Sequence, residues 1–237
     1  MTGLVADLGA VLAPHGLIVR GAFRPTAADL AGTDLQAGVV SRLVLIGNAG
    51  AAMWRAFEPF KDGDPNPLDR WTRRIVDPVA DQARAGAIYP FDDPPPPIQR
   101  WAMRAEPLRP SPLGILIHPH YGLWHAYRAV LVFEGDVESE HEALEPTREE
   151  TPLHPCDSCA EKPCLTACPV GAFSTAGYDV PACAGYLAGI EGGSCLDAGC
   201  QARNACPVGR EWRYDEAQIA FHMAAFARAV IVERPAG

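Results

Sequence analysis

The cysteines are the residues of this sequence whose number and spacing indicate a chemical function. All eight cysteines lie between positions 156 and 206, and none occurs before them. They are Cys156, Cys159, Cys164, Cys168, Cys183, Cys195, Cys200 and Cys206. A secreted chain could use them as four disulfides, but such crowding into one short segment favours metal ligation instead.

Two of the cysteines, Cys168 and Cys206, begin the same four-residue sequence, Cys-Pro-Val-Gly. Thiolates suit iron-sulfur clusters, and in two-cluster ferredoxins the cysteine before proline ligates the cluster of the other half. This pattern predicts two 4Fe-4S clusters with crossed ligands. The first set is Cys156, Cys159, Cys164 and Cys206, and the second set is Cys168, Cys183, Cys195 and Cys200.

The spacing departs from the ferredoxin run, because four residues separate Cys159 from Cys164 where that run has two. The interval from Cys195 through Cys200 to Cys206 is also stretched. A pair of four-cysteine zinc sites is the alternative, since thiolates serve zinc equally well. The two Cys-Pro closures favour clusters over zinc.

Apolar runs upstream predict the elements that must position this chemistry. GLIVRGAF and VVSRLVLIG predict two strands, the second ending at Gly47, after which Gly47-Asn48-Ala49-Gly50 predicts a turn with free amides that opens a helix. LDRWTRRIVDPVADQARAG predicts another helix, and residues 113–135 predict a strand, a tight turn and a strand. DEAQIAFHMAAFARAVI predicts a final helix that packs on the body.

Composition bounds the class of protein. With 237 residues and 48% hydrophobic residues the chain has material for a real core. The net charge of -9 makes nucleic acid an unlikely partner, because phosphate binding draws on a surplus of Lys and Arg. Eight acids fall within residues 134–150, which reads as a solvated linker or, alternatively, a docking patch. The sequence lacks a secretory signal and an apolar membrane span, so a cytoplasmic protein without a membrane partner is expected.

At Cys183-Ala-Gly-Tyr186-Leu187 the sequence resembles the iron-sulfur domain of epoxyqueuosine reductases and corrinoid reductive dehalogenases. The segment IHPHYGLWHAYR is similar to a turn of the cytosolic cobalamin-processing proteins. The resemblance implies an α+β chain with a nitroreductase-like, cobalamin-binding α/β domain at residues 1–145. A ferredoxin-like two-cluster module would follow at 146–212, and a C-terminal helix at 213–237 would pack on the body.

The resemblance also implies cobalamin bound with its nucleotide base off the cobalt. Such a site needs aromatic walls, close backbone approach and backbone donors for the tail phosphate. The candidates are Asn48, Ala49, Gly50, His118, Tyr121, Gly122, Trp124 and Tyr127. Each has an alternative: the aromatic residues as core, the glycine-rich turn as a plain turn, and His118 as a histidine bonded to backbone.

These features predict a cobalamin-dependent oxidoreductase in which electrons pass from a soluble donor, such as a ferredoxin or flavodoxin, through two clusters to cobalt. The substrate would be a small molecule or cobalamin itself. The alternative is a plain ferredoxin-type carrier without cobalamin. A tRNA-modifying enzyme would need a basic surface, which the composition opposes. The catalytic residues remain unknown, because the catalytic acid and tyrosine of the resembled families have no matching position here.

Overall fold

The computed structural model describes residues 4–135, 153–174 and 176–232. Most of the acidic segment, residues 136–150, lies outside the described residues. The helices are α1 Leu4–Leu12, α2 Ala27–Leu30, α3 Ala52–Phe57, α4 Pro67–Ala83, α5 Ile98–Ala105, α6 Pro155–Ser158, α7 Pro163–Thr166, α8 Val180–Ala188, α9 Gly193–Ala198, α10 Gln201–Asn204 and α11 Glu216–Val232. The strands are β1 Ile18–Phe23, β2 Val40–Ala49, β3 Gly86–Ile88, β4 Arg109–Pro110, β5 Leu116–Ile117, β6 His125–Glu134, β7 Phe173–Ser174 and β8 Gly177–Tyr178.

These elements form a mixed α+β chain, as predicted, in two compact units. Unit 1 comprises Met1–Pro107 and His125–Thr151, and unit 2 comprises Leu108–Trp124 and Pro152–Gly237. Residues 108–124, which the sequence places inside the first expected domain, therefore group with the cysteine segment. None of the described helices combines the length and the apolar character needed to cross a membrane.

Unit 1 is built on a four-stranded antiparallel sheet in the order β1-β2-β6-β3. β2 lies inside the sheet, and its run Leu43–Ile46 is fully buried. A strand buried on both faces needs a continuous apolar run, which residues 43–47 of VVSRLVLIG supply. Helix α4 buries Leu68, Trp71, Val76 and Val79 along one face.

Unit 1 contains a buried ion pair with additional hydrogen bonds. Arg20 on β1 forms an ion pair with Glu106, with 3.0 Å between Nε and Oε1, and the two side chains are 1% and 10% exposed. The Tyr127 hydroxyl donates to the other carboxylate oxygen of Glu106. Arg20 also donates to the Asn48 carbonyl at 3.2 Å. Burial raises the pKa of Glu106, while the Arg20 charge and the Tyr127 hydrogen bond oppose that rise.

Unit 2 surrounds the cysteines with short elements. β4 pairs with β5, and β7 pairs with β8, both antiparallel. The C-terminal helix α11 packs against α8 and α9, and α10 packs against α7. The long final helix therefore covers part of the cysteine segment.

The predicted hairpin over residues 113–135 is wrong. β5 pairs with β4, whereas β6 pairs with β2 and β3. The bridge between His118 and Gly122 lies in the segment between β5 and β6 and belongs to neither strand. The reason lies in packing, since Ile117 belongs to the apolar cluster that contains Cys164 and Cys206. The two halves of the predicted hairpin serve different units.

Candidate functional site

The eight cysteines are free thiols in unit 2, and the structure gathers them in two groups of four. Cys156, Cys159, Cys164 and Cys206 line one cavity. Cys168, Cys183, Cys195 and Cys200 line another. The structure thus brings Cys206 to the first set, across α10, although Cys200 is its nearest cysteine neighbour in sequence.

The first set is held by short helices packed on the β5 segment. Cys164 and Cys206 are buried in one apolar cluster with Leu113, Ile117 and Leu123, and Cys156 packs against that cluster. Contact between α7 and α10 brings the end of α10 beside Cys164. The residues before β6 therefore form one wall of the first set.

The second set is held by α8, α9 and the β7-β8 hairpin beneath α11. Cys195 is buried with Leu187 and Ala227, and Cys183 packs against them. All four thiols of the second set line a cavity of about 440 Å³ whose other walls are mainly apolar. These walls include Leu113, Phe173, Leu187, Met223 and Phe226. The first set lines a smaller cavity of about 20 Å³.

In both sets the folded protein disfavours the charged, thiolate form of the cysteines. Burial raises the pKa of Cys156 to about 11, and the charges of Cys206 and Cys164 add to the rise. Burial also raises the pKa of Cys183 and of Cys200, again with a contribution from neighbouring thiolates. Four thiolates can therefore coexist in each set only if positive charge is bound among them, as a metal core would supply.

Hydrogen-bond donors are already directed at several sulfurs. The Cys168 sulfur accepts from the Ala172 amide at 3.3 Å. The Cys200 sulfur accepts from two backbone amides, those of Ala202 and Arg203, and the Cys206 sulfur accepts from the amide of Val208. Sulfur is a weak acceptor as a thiol, whereas charged acceptors form stronger bonds, so these donors suit thiolates.

Among the described residues, no three His, Cys, Asp or Glu side chains lie close enough together to ligate a single metal ion. A cubane cluster has four irons at its centre, so its four thiolates stand further apart than the ligands of one zinc ion. The donor set fits two cubane clusters by its chemistry: each set offers four thiols, with amide donors aimed at the sulfurs.

Comparison with known proteins adds little to this geometry. No family model matches the chain, and no curated protein matches it. One matching solved structure is that of a selenomethionine-labelled epoxyqueuosine reductase, with 15% sequence identity and a TM-score of 0.46. The match covers 76% of this chain and 52% of that chain, so this chain spans about half the length of that protein.

The residues predicted around the cobalamin tail lie in unit 1, but not as the expected turn. Asn48 and Ala49 belong to β2, where they pair with Ala126 and His125. The prediction that the strand ends at Gly47 is wrong, because β6 continues opposite it for two more residues. The run of free amides predicted after Gly47 therefore does not form at these two positions. Gly50 follows the strand with a φ of 62°.

The side chain of Asn48 nevertheless stands out in unit 1. It is 1% exposed, and neither its amide nitrogen nor its amide oxygen has a hydrogen-bond partner among the described residues. An unsatisfied buried amide costs free energy, so it calls for an explanation such as a bound ligand or water. Tyr127, by contrast, is already engaged by Glu106.

The other predicted cofactor residues, His118, Tyr121, Gly122 and Trp124, lie in unit 2 and pack against residues of that unit. His118 accepts hydrogen bonds at Nδ1 from the amides of His120 and Tyr121, each at 3.0 Å, so it is the backbone-bonded histidine of the alternative prediction. The Tyr121 ring stacks on His118 with 4.4 Å between centroids. Trp124 is 1% exposed and packs with Tyr214, which gives no support to its prediction as a corrin wall.

The predicted close approach at Gly122 is real, but it involves another backbone segment. Gly122 has a φ of 57°, and a Cβ there would lie 2.0 Å from the Val208 carbonyl oxygen. Gly209 makes the reciprocal contact, since its Cβ would lie 2.4 Å from the Tyr121 carbonyl carbon. These two glycines allow the turn after β5 to lie against the loop after Cys206.

Three residues near the sulfurs were missed from the sequence. Lys162 donates to the carbonyls of Cys156 and Cys159 at 2.9 and 3.2 Å. The Tyr178 hydroxyl donates to the Cys183 sulfur. Arg203 lines the cavity of the second set. Their positions in the sequence could have indicated these residues, because each lies within five residues of a cysteine. Lys162 and Arg203 are also cations inside a cysteine-rich segment.

Replacing Gly122 by alanine is expected to lower the iron bound after anaerobic reconstitution by up to about half, because only the first set is disturbed. The new methyl group would push away Val208, whose amide donates to the Cys206 sulfur. Gly32→Ala is the matched control, since Gly32 lies in unit 1 and has a φ of 80° but no atom within 4 Å of its added Cβ. Equal iron content in the two variants would contradict the proposed role of this contact.

Proposed function

We propose that this chain is an iron-sulfur electron-transfer protein of the reductase type, with unit 2 as a ferredoxin-like module for two 4Fe-4S clusters. One observation carries the proposal: eight free thiols fold into two separate groups of four, and each group lines its own cavity. When bound, such clusters supply one-electron transfer. A soluble donor such as a ferredoxin or flavodoxin is the proposed source of electrons.

The thiols and the residues around them supply three things that an iron-sulfur site needs: negative charge, limited access of water and hydrogen bonds to sulfur. The thiols supply negative charge, and burial under α11 and the β5 segment limits water near the sulfurs. Amides and the Tyr178 hydroxyl donate to individual sulfurs, which adjusts the reduction potential of a cluster through its ligands.

The proposed acceptor is base-off cobalamin, held in a nitroreductase-like unit 1. The support in unit 1 is the Asn48 amide, which is buried with both polar atoms unpartnered. A corrin carries amide groups around its edge, and an amide can donate to and accept from another amide. Two roles follow for the bound cobalamin: it is the catalyst that acts on a small-molecule substrate, or it is itself the substrate.

The experiment is anaerobic reconstitution followed by iron analysis and titration with cob(II)alamin. We expect about eight iron per chain with charge-transfer absorbance, and an absorbance change typical of the base-off form on titration. Stoichiometric zinc without that absorbance would refute the cluster proposal. Eight iron without cobalamin binding would instead establish the plain ferredoxin-type carrier.

Asn48→Leu tests the cobalamin site separately from stability. Because the amide has no partner within the described chain, an apolar side chain of similar size should not lower the free energy of unfolding of the cobalamin-free protein. Cobalamin affinity should fall roughly tenfold, the loss expected for one polar contact. Asn66→Gly is the control, since Asn66 is exposed and has a φ of 53° that glycine accepts. Unchanged affinity in Asn48→Leu would remove Asn48 from the site.

A further inference from the structure

Arg203 is a cation whose charge has no carboxylate partner within the described residues of unit 2. It lies on α10, three residues after Cys200 and three before Cys206. Its Nη2 donates to the Leu123 carbonyl, and its Nε is buried with no hydrogen-bond partner. Its guanidinium lies over the rings of Trp124 and Tyr214, at 4.5 and 4.9 Å from the centroids. Arg203 is partly buried, and a guanidinium whose Nε is shielded from water without a partner favours a nearby negative charge.

The position of Arg203 indicates what that counter-charge is. Arg203 lines the 440 Å³ cavity together with all four thiols of the second set. It also lines a second cavity of about 50 Å³, in which Cys200 is the cysteine. Its own backbone amide donates to the Cys200 sulfur. Arg203 therefore borders the cavity of the second set, and aromatic packing holds its guanidinium in place.

A cluster held by four thiolates is net negative when oxidised and becomes more negative with each electron. A fixed cation nearby stabilises the more negative state more strongly, and it does so most effectively where burial weakens solvent screening. Net charge and hydrogen bonding at the sulfurs are among the factors that set cluster potentials.

We propose that Arg203 is the built-in counter-charge of the second cluster and raises the reduction potential of that cluster selectively. This inference rests on the proposed two-cluster function. Arg203 is a positioning residue that would adjust the driving force, and it need not touch a substrate. The first set has its own cation in Lys162, whose ammonium is bonded to carbonyls of that set.

The test is an anaerobic redox titration of the reconstituted full chain, followed by electron paramagnetic resonance. Arg203→Gln keeps a donor for the Leu123 carbonyl but removes the charge. It should lower the equilibrium constant for reducing one cluster about tenfold, which is about 59 mV for one electron, and leave the other cluster unchanged. Arg203→Lys keeps the charge and should shift that potential much less.

Two controls separate charge from packing. Arg213 also packs over Trp124, at 5.4 Å, and donates to the Asn204 carbonyl, but it does not line the cavity of the second set. Arg213→Gln should therefore leave both potentials unchanged. Lys162→Met should shift the potential that Arg203→Gln leaves alone.

The outcomes are distinguishable. If Arg203→Gln shifts neither potential, shifts both equally, or shifts one no more than Arg203→Lys does, the counter-charge role is wrong. If the wild-type protein binds no iron, the proposed function fails before Arg203 is tested. A selective shift that follows the charge would support both.

Discussion

Replacing Cys200 and Cys206 together by alanine is expected to leave the protein with almost no bound iron. Replacing Cys159 and Cys206 together should leave about four of about eight irons. The difference arises because Cys200 and Cys206 belong to different sets in the structure, whereas Cys159 and Cys206 share one. Alanine is preferred to serine, whose hydroxyl could still ligate iron.

Iron analysis and charge-transfer absorbance after anaerobic reconstitution measure both variants. The alternative grouping by sequence order would place Cys206 with Cys195 and Cys200. It would then give the reverse result, with about four irons retained in the Cys200, Cys206 variant and almost none in the other. A Cys168, Cys195 double variant is the matched control for the second set, and it should also retain about four irons.

Replacing Glu106 by alanine is expected to lower the free energy of unfolding of unit 1 by about 3–5 kcal/mol. The substitution would leave the Arg20 guanidinium, whose side chain is 1% exposed, without the carboxylate that faces it at 3.0 Å. It would also remove the acceptor of the Tyr127 hydroxyl. The loss should be large because removing one partner of a buried ion pair is far more costly than losing a contact at the surface.

Hydrogen exchange of the β2 and β6 amides in the full-length protein reports this change in unit 1 separately from unit 2. Asp62→Ala is the matched control. It breaks an ion pair with Arg70 whose side chains are 51% and 46% exposed, so protection of the sheet should hardly change. Similar effects from the two substitutions would show that the Glu106 pair is not the stabilising contact described here.

The local sequence predicted which residues of unit 1 form strands better than it predicted which strands pair with each other. GLIVRGAF and VVSRLVLIG form β1 and β2 because segments rich in apolar and β-branched residues suit a buried strand. The partner of Leu116–Ile117 could not be predicted in this way. A strand of two residues takes its partner from non-local packing, here against the cluster that contains Cys164 and Cys206.

The thiol groups and the aromatic residues differ in how much local sequence reveals. A proline directly after Cys168 and Cys206 is a recurring local signal, and it carried the crossed arrangement. Trp124 has no such signal, because an aromatic residue beside a strand looks the same whether it faces a ligand or, as here, the guanidinium of Arg203. The sequence predicts Asn48 as a cobalamin residue because it lies in an expected turn. Its buried amide without a hydrogen-bond partner is visible only in the three-dimensional structure.

Cys200 and Cys206 flank α10 and belong to different sets, which determines when each set of thiols is completed during synthesis of the chain. The last thiol of the second set is Cys200 and the last of the first set is Cys206, so the two sets are completed six residues apart. A ribosome that has made residues 156–199 has supplied three thiols to each set and completed neither. Insertion of the two clusters would therefore begin late, and almost simultaneously, and a chain truncated before Cys200 could hold neither of them with its full complement of ligands.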